Sequence, residues 1–278
     1  MNQKRALAVH DISCVGKCSL TIALPILSAA GIETSVLPTS VLSAHTGGFG
    51  KPVFHDLTEE LAPIAAHWKS FDMTFDSIYT GYLGSKEQVA RVLELFHDFG
   101  GGALKLVDPV MADNGKLYSG FPDDFPQEMQ KLCARADVIV PNLTEAALLL
   151  GEPYVPGPYT EEYITGLLRR LANRYPGSIV LTGVHFDDTN LGAVAYDRTS
   201  ASVALAPRIP GHFHGTGDIF ASVLLSALLT GKPLAEAMQI AVGFTAESIR
   251  LTDPQRDRRF GVRFEAALPS LMRELDLF

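Results

Sequence analysis

The stretch "HGTGDIFASVLL", residues 214–225, places two glycines and a threonine directly before an aspartate and a long apolar run. Glycines at 215 and 217 allow backbone conformations that other residues avoid, and they let a ligand approach the main chain. The apolar run predicts a helix that begins at Asp218, and the first amides of a helix have no partners within it. Such amides, together with the helix dipole, form an anion site. Asp218 is therefore either the cap of this helix or a residue that acts on a bound anion.

A bound phosphate would give Asp218 a chemical role. If that phosphate were transferred, the aspartate could accept the proton of the attacking hydroxyl, while the helix amides stabilised charge on the phosphoryl oxygens. A Walker-type nucleotide site does not fit the sequence. The pattern GxxxxGK[ST] fails both in "DISCVGKC" (11–18) and in "HTGGFGKP" (45–52).

The rest of the chain alternates between strand and helix patterns, which predicts a parallel sheet covered on both faces. No linker, low-complexity segment or repeat interrupts it. We therefore predict an α/β fold: one three-layer α/β/α domain over residues 1–278, with a mostly parallel central sheet. Predicted strands lie at 5–12, 34–42, 76–83, 103–110, 137–142 and 177–184, a hairpin at 191–197 and 202–210, and helices at 18–30, 57–71, 85–100, 160–175, from Asp218 and near Leu234. We expect Thr58 and Ser85 to cap their helices.

Composition excludes several functional classes. The 23 basic and 31 acidic residues give a formal charge of −8, which argues against a nucleic-acid partner. The densest basic stretch, "RDRRFGVR" (256–263), predicts a solvated face, with a local role beside an anionic ligand as the alternative. Three cysteines argue against a disulfide framework, and Cys14 and Cys18 are expected to be buried small residues rather than zinc ligands.

We expect a cytoplasmic protein with no membrane partner. The N-terminus lacks a signal-peptide pattern. The longest apolar region, "LTIALPILSAAGI" (20–32), is too short to span a bilayer.

Polar residues follow several predicted strands, where α/β sheets bind ligands. "VDPVMADNG" carries Asp108 and Asp113, and "PNLTEA" carries Asn142 and Glu145. Oxygen donors of this kind suit Mg²⁺ beside substrate phosphates. The alternative is turn and cap chemistry, with Thr144 as a helix cap. Because these residues share a sheet edge with the GTGD motif, phosphoryl transfer is favoured.

Five segments together resemble the ribokinase superfamily, and within it the pyridoxal (vitamin B6) kinases. They occur in the family's order: "SAHTGG" (43–48), "YTGYLGS" (79–85), "VDPVMADNGKLY" (107–118), "PNLTEAALL" (141–149) and "GTGDIFAS" (215–222). The family pattern before HTG is SN, whereas this chain has Ala44.

The resemblance implies transfer of the γ-phosphate of ATP to the 5′-hydroxyl of pyridoxal, pyridoxine or pyridoxamine. It implies a homodimer, Mg²⁺ and activation by a monovalent cation such as K⁺. We expect Asp218 both to cap its helix and to act as base. The other implied roles are an anion hole at Gly215, Thr216 and Gly217; magnesium, largely through water, at Asp108, Asn142 and Glu145; nucleotide contacts at Asp113, Tyr118 and Thr182; ring contacts at Thr46 and Tyr82; and contacts with ring substituents at Asp11 or Ser13.

Two alternatives stay open. A hydroxymethylpyrimidine kinase of thiamine synthesis would phosphorylate a similar flat ring with the same pocket chemistry. A non-catalytic sensor would bind a vitamer or nucleotide without turnover. Segments 47–56 and 112–124 are candidate covers over the acceptor and the nucleotide.

Overall fold

Nine strands form one sheet within residues 3–277, the part of the chain that this computed structural model describes, in the order β11-β10-β9-β8-β5-β4-β1-β2-β3. Two further strands, β6 and β7, form a separate hairpin. The strands are β1 (Arg5–Ser13), β2 (Glu33–Leu42), β3 (Phe54–Asp56), β4 (Ser77–Thr80), β5 (Leu104–Val107), β6 (Ala112–Asp113), β7 (Lys116–Leu117), β8 (Val138–Ile139), β9 (Ser178–Val184), β10 (Asn190–Tyr196) and β11 (Ala201–Pro207).

The centre of the sheet is parallel and its edges are antiparallel. Strands β2, β1, β4, β5, β8 and β9 pair in parallel. The edge pairs β2–β3, β9–β10 and β10–β11 are antiparallel. Parallel neighbours require crossover connections, which place helices on the faces of the sheet. The predicted mostly parallel α/β sheet and its terminal hairpin are confirmed.

Helices cover both faces of the sheet and form the two outer layers. They are α1 (Leu20–Ala29), α2 (Thr58–Lys69), α3 (Lys86–Phe99), α4 (Phe125–Cys133), α5 (Leu143–Leu150), α6 (Glu161–Arg174), α7 (Thr216–Leu229), α8 (Leu234–Arg250) and α9 (Leu268–Glu274). One apolar cluster joins the sheet to α2–α6, and a second joins it to α1, α7, α8 and α9. Within β1, Leu7 and Val9 belong to the first cluster and Ala6 to the second, as the two-residue period of a strand requires.

Several elements differ from the sequence prediction. The strand expected at 76–83 is limited to Ser77–Thr80, because residues 81–83 form the loop beyond its carboxyl end. Helix α4 and the strands β3, β6 and β7 were not predicted, and these strands, of two or three residues each, are too brief to show a period. Helix α5 was expected only through its possible cap at Thr144. The segment after Asp253, for which no helix was predicted, contains α9, whose Leu271 is buried.

Helix capping follows chain geometry more than residue type. Ser85 caps α3 as predicted, accepting a 3.1 Å hydrogen bond from the Gln88 amide. The prediction for Thr58 was wrong: α2 begins at Thr58 after Leu57, and the Thr58 hydroxyl accepts from the Gln88 side chain at 3.0 Å.

Thr144 also fails as a cap. It lies inside α5, where its hydroxyl accepts from the Gly115 amide at 3.0 Å. Asn142 takes the cap position because the chain is still extended there as it leaves β8.

The cysteines are not all buried. Cys133 is buried and Cys18 partly so, but Cys14 is exposed, so the prediction for Cys14 was wrong. Cys14 follows the last residue of β1, in a loop at the surface. Among residues 3–277, no helix is both long enough and apolar enough to cross a bilayer.

Replacing Thr160 by alanine should destabilise the protein by about 1 kcal/mol, because its side chain caps α6 by accepting from the Tyr163 amide at 3.1 Å. Urea unfolding measures the change as a lower midpoint at constant m. Thr160→Ser keeps the hydroxyl and should stay within a few tenths of a kcal/mol of the original chain. An equal loss in both variants would show that the hydroxyl is not the source.

Candidate active site

The loops after β1, β2, β4, β5 and β8 meet the start of α7 at one edge of the sheet. Parallel strands end at the same edge, which is where such sheets bind ligands. The charges of Asp11 and Asp108 interact with groups at the start of α7, and Thr182 of β9 pairs with Asn142. The residues predicted from separate motifs therefore belong to one site.

The start of α7 presents free backbone amides to the cleft. The helix begins at Thr216, preceded by Gly215 with φ 79°. A Cβ at Gly215 would lie 2.4 Å from the Lys17 carbonyl oxygen, so only glycine fits. Within residues 3–277, the backbone N–H groups of Thr216, Gly217 and Asp218 have no hydrogen-bond acceptor. Space around Gly217 is open, so an anion can reach these amides.

Asp218 does not cap its helix, contrary to the prediction. It is the third residue of α7, and its Oδ2 accepts a 2.9 Å hydrogen bond from the backbone N–H of Ser19 instead. The carboxylate is partly exposed to the cleft. Loss of water around it, with the charge of Asp11 as a smaller cause, raises the pKa of Asp218 to about 7. A carboxylate with that pKa can both accept and release a proton near neutral pH.

One half of the site is formed by the loops after β1, β2 and β4. Asp11 is buried and accepts a 3.1 Å hydrogen bond from the Ser13 hydroxyl. Burial raises the pKa of Asp11. Tyr82 is half-buried, and after burial the charge of Asp11 is the next cause that raises its pKa, so the two side chains are close. Thr46 is exposed on the loop after β2. The neighbouring Ala44 is buried.

The other half is formed by the loops after β5 and β8. Asp108 and Glu145 are buried, and burial raises the pKa of both carboxyls. The charges of Glu145 and Asp218 raise that of Asp108 further. No protein group within residues 3–277 donates a hydrogen bond to the Asp108 carboxylate, and none of these three carboxyls has a lysine or arginine partner there.

Asn142 and Glu145 form a capping box at the start of α5. Asn142 Oδ1 accepts from the Glu145 amide, and Glu145 Oε2 accepts from the Asn142 amide, both at 2.9 Å. Glu145 Oε1 accepts from the Met111 amide at 3.1 Å, and Asn142 donates to the Ala112 carbonyl at 2.8 Å. Both side chains thus hold the loop after β5 in place, which supports the cap and turn interpretation, and magnesium binding at this position stays a prediction.

The three residues predicted to contact a nucleotide lie beside this capping box. Asp113 ends β6, and Tyr118 follows β7 with its side chain 42% exposed. After partial burial, Glu145 and Asp113 are the next causes that raise the pKa of Tyr118, which places its hydroxyl near both. The Thr182 amide donates to the Pro141 carbonyl at 3.0 Å.

Sequence reasoning missed a cavity of about 300 Å³ behind the GTGD segment. Phe213, Ile249 and Arg258 line it, together with Ile209 and Thr252. These residues come from two distant segments, 209–213 and 249–258, so no local pattern connects them. Phe213 is two residues before Gly215, which places the cavity next to the start of α7.

His10 directly precedes Asp11 in β1 and is fully buried. Neither ring nitrogen has a hydrogen-bond partner within the described residues. Burial lowers the pKa of His10 to about 3, so the ring is neutral at physiological pH. It packs edge-on against Tyr79 with ring centroids 4.3 Å apart. His10 therefore acts as a packed core residue.

Asp218 stands between the two halves, since Asp11 on one side and Asp108 on the other both interact with it. Free helix amides beside such a carboxylate serve group transfer to or from an anion. With its three-layer fold, the chain is a kinase of ribokinase-like architecture. It belongs to the phosphomethylpyrimidine kinase family, whose model matches residues 33–262.

Two solved structures are closely similar. One is a Bacteroides thetaiotaomicron protein assigned as a phosphomethylpyrimidine kinase and crystallised with pyridoxal; it is 40% identical, with a TM-score of 0.92 over 97% of this chain and 96% of that one. The other is pyridoxal kinase from Lactobacillus plantarum, 34% identical, with a TM-score of 0.90 over 98% of each chain.

Sequence relatives come from both vitamin pathways. Pyridoxal kinase of Bos taurus is 30% identical over 236 residues, which cover 76% of this chain and 72% of the bovine one. A thiamine biosynthesis multifunctional protein of Corynebacterium efficiens is 27% identical over 257 residues, and the chain spans only 33% of its length.

Asp218→Asn should make the protein more stable at pH 8, by about 1–2 kcal/mol. The folded-state pKa of Asp218, about 7, exceeds the ordinary value of 3.8, so the folded form binds the proton more tightly than the unfolded form. That carboxyl therefore favours folding at low pH, and the contribution is lost as pH rises towards 7. Water in the open cleft moderates the effect.

Urea unfolding of both chains at pH 5 and pH 8 measures this difference. The gap between variant and original should be smaller at pH 5. Asp188→Asn, at an exposed position, is the control and should show no pH-dependent gap. A gap of the same size at both pH values would contradict the raised pKa.

Proposed function

We propose that this kinase transfers the γ-phosphate of ATP to the 5′-hydroxyl of a vitamin B6 compound, pyridoxal, pyridoxine or pyridoxamine. The observation that carries the proposal is the position of Asp218 between two differently lined halves, beside the free amides of Thr216 and Gly217. The pyridoxal in the 40%-identical structure and the kinase activity named for the 34%-identical one support a pyridine acceptor.

The acceptor would lie in the half formed by Asp11, Ser13, Thr46 and Tyr82. Tyr82 offers an aromatic surface to a flat ring, and Thr46 a hydroxyl from the facing loop. Asp11 is already oriented by the Ser13 hydroxyl at 3.1 Å, so it can bind a polar ring substituent without reorganising. This arrangement directs the hydroxymethyl group of the ring towards Asp218.

Asp218 would accept the proton of that hydroxyl as its oxygen attacks the γ-phosphorus. The bond from the γ-phosphorus to its bridging oxygen breaks, and ADP leaves with the electron pair. The amides of Thr216, Gly217 and Asp218 would stabilise the negative charge that spreads over the transferred phosphoryl oxygens. The Ser19 amide keeps Asp218 Oδ2 in place at 2.9 Å, so the other oxygen is left to face the cleft.

The half formed by the loops after β5 and β8, called the donor half below, would hold a magnesium ion. Asp108 is a buried carboxylate to which no protein group within residues 3–277 donates a hydrogen bond, and the nearby charges of Glu145 and Asp218 are also negative. Asp108, with Asn142 and Glu145 acting through water, would hold the ion, which neutralises phosphate charge when bound. Asp113, Tyr118 and Thr182 would follow the nucleotide along the same edge.

The 300 Å³ cavity beside Phe213 is the place we propose for the nucleotide base. Phe213 and Ile249 provide an apolar lining, and Arg258 adds a positive charge at the rim. A flat base with attached phosphates matches that chemistry. The basic stretch at 256–263 would then have the local anionic partner considered from sequence.

Hydroxymethylpyrimidine is the second candidate acceptor. It is favoured by the family model and by the thiamine-synthesis relative, both of which extend over most of the chain. Every catalytic role above would stay the same, because only the ring in the acceptor half changes. A non-catalytic sensor is the third candidate, and dimerisation, a cytoplasmic location and activation by potassium stay predictions.

The first test is turnover of four acceptors side by side: pyridoxal, pyridoxine, pyridoxamine and hydroxymethylpyrimidine, with ATP, magnesium and potassium. We expect the highest kcat/KM for a B6 compound. A higher kcat/KM for the pyrimidine would assign the chain to thiamine synthesis instead. Binding of an acceptor without turnover would favour the sensor.

Asp218→Asn should lower kcat by about 10²–10⁴ while ATP binding is kept, because the amide cannot accept the hydroxyl proton. In the original chain, kcat should fall as pH drops through about 7, where Asp218 becomes protonated. Stopped assays from pH 5.5 to 9 measure both effects, with Asp188→Asn as control. Near-normal turnover of Asp218→Asn, or an unchanged acid limb in it, would exclude Asp218 as the base.

A further inference from the structure

Residues 257–266, called the C-terminal strap below, connect the region after α8 to α9. The strap contains two short 3₁₀ turns, Arg258–Phe260 and Phe264–Ala266. Val262 and Phe264 anchor it, since both are buried in the core beside α8. The sequence predicted only a solvated basic face at 256–263, and the reaction proposed above does not use residues 259 and 260.

The strap is hydrogen-bonded to the residue before Thr46. His45 Nε2 lies 2.6 Å from the carbonyl oxygen of Arg259, and the Gly47 amide donates to His45 Nδ1 at 2.9 Å. Because Nδ1 accepts, the ring proton is on Nε2, which donates to the Arg259 carbonyl. The buried ring of His45 thus fixes the turn around Thr46 and connects it to the strap.

Side chains of the strap hold the same loop from outside. The Arg259 guanidinium donates to the Gly48 carbonyl at 3.4 Å and lies 5.4 Å from the centre of the Phe49 ring. Phe260 packs edge-on against Phe49 at 5.3 Å. The strap therefore contacts His45, Gly48 and Phe49, and His45 in turn holds Gly47.

His214, the residue before the GTGD motif, packs against the opposite side of the loop. A Cβ at Gly47 would lie 2.4 Å from the His214 ring, so the loop backbone packs directly on that side chain. The strap also binds the β1–α1 loop: Lys17 Nζ donates to the Val262 carbonyl at 3.0 Å and pairs with Glu265 at 2.6 Å. Ser19, two residues later, is the amide donor to Asp218.

We propose that the C-terminal strap positions Thr46 against the acceptor ring and so sets acceptor affinity. This inference rests on the proposed function, because it assigns Thr46 to the acceptor. His45 and Arg259 act as positioning residues, since their contacts are with the loop and not with reacting groups. At residue 258 the strap borders the nucleotide cavity, so the tests below use residues 45 and 259 only.

Two replacements of His45 separate the strap contact from the local turn. In His45→Asn, the side-chain oxygen can take the place of Nδ1 and still accept from Gly47, but nothing reaches the Arg259 carbonyl. In His45→Gln, the longer amide can donate to that carbonyl, but the Gly47 contact is lost. Both remove the imidazole, so the two variants differ in which of the two hydrogen bonds the side-chain amide can make.

We expect His45→Asn to raise the acceptor KM about five- to tenfold, with the KM for ATP and the kcat at saturating acceptor within twofold of the original chain. His45→Gln should restore most of the acceptor KM. His97→Asn, at an exposed position near the end of α3, is the control. Steady-state kinetics use whichever acceptor the four-way comparison identifies.

Equal acceptor KM values for His45→Asn and His45→Gln would overturn the proposed role of the strap. The proposed function would not be affected, because it is tested by the turnover of the original chain. Absence of any turnover by the original chain overturns the proposed function first. If His45→Asn does not fold, Arg259→Ala provides the same test at an exposed side chain. It should raise the acceptor KM without changing the KM for ATP, and an unchanged acceptor KM in that variant contradicts the proposal.

Discussion

The hydrogen bond from the Ser19 amide to Asp218 joins two segments that are 199 residues apart. It connects the loop after β1 to the first turn of α7. Beside it, Gly215 packs so closely on the Lys17 carbonyl that a Cβ at position 215 would lie 2.4 Å from that oxygen. Ser19 adopts φ 54°, an uncommon conformation for a residue with a side chain. Backbone strain of this kind persists where surrounding structure enforces it, typically at functional sites. This contact therefore joins the loop that follows Asp11 and Ser13 to the free amides at the start of α7.

The carboxyls around the cleft have an electrostatic cost. The charges of Asp11 and Asp218 interact, and those of Glu145 and Asp218 act on Asp108. Loss of water is the main cause that raises the pKa of Asp218 to about 7, and the charge of Asp11 adds to it, whereas the hydrogen bond from the Ser19 amide opposes the rise. The raised pKa is a cost to folding above that pH and would be an advantage for proton transfer near it.

The proposed reaction separates chemistry from specificity. In it, Asp218 and the helix amides act on any hydroxyl acceptor, and relatives named for both the B6 and the thiamine pathway match the chain over most of its length. Discrimination between a pyridine and a pyrimidine would then arise in the proposed acceptor half, from the loops that carry Asp11, Thr46 and Tyr82. Two of those loops are fastened by the C-terminal strap, which makes a segment remote from the motifs relevant to substrate choice.

The sequence by itself determined the strand and helix alternation, the parallel sheet, the closing hairpin and the motifs at the sheet edge. These features follow from the local spacing of apolar residues and from the positions of glycines, both of which can be read from a single sequence. It could not place the cap of α7, because Gly215 takes that position while Asp218 turns towards Ser19. Nor could it show that Asn142 and Glu145 cap α5 together, or that residues 257–266 hold the Thr46 loop. Tertiary structure decided these points, since each depends on which distant backbone amide or carbonyl lies within hydrogen-bond reach.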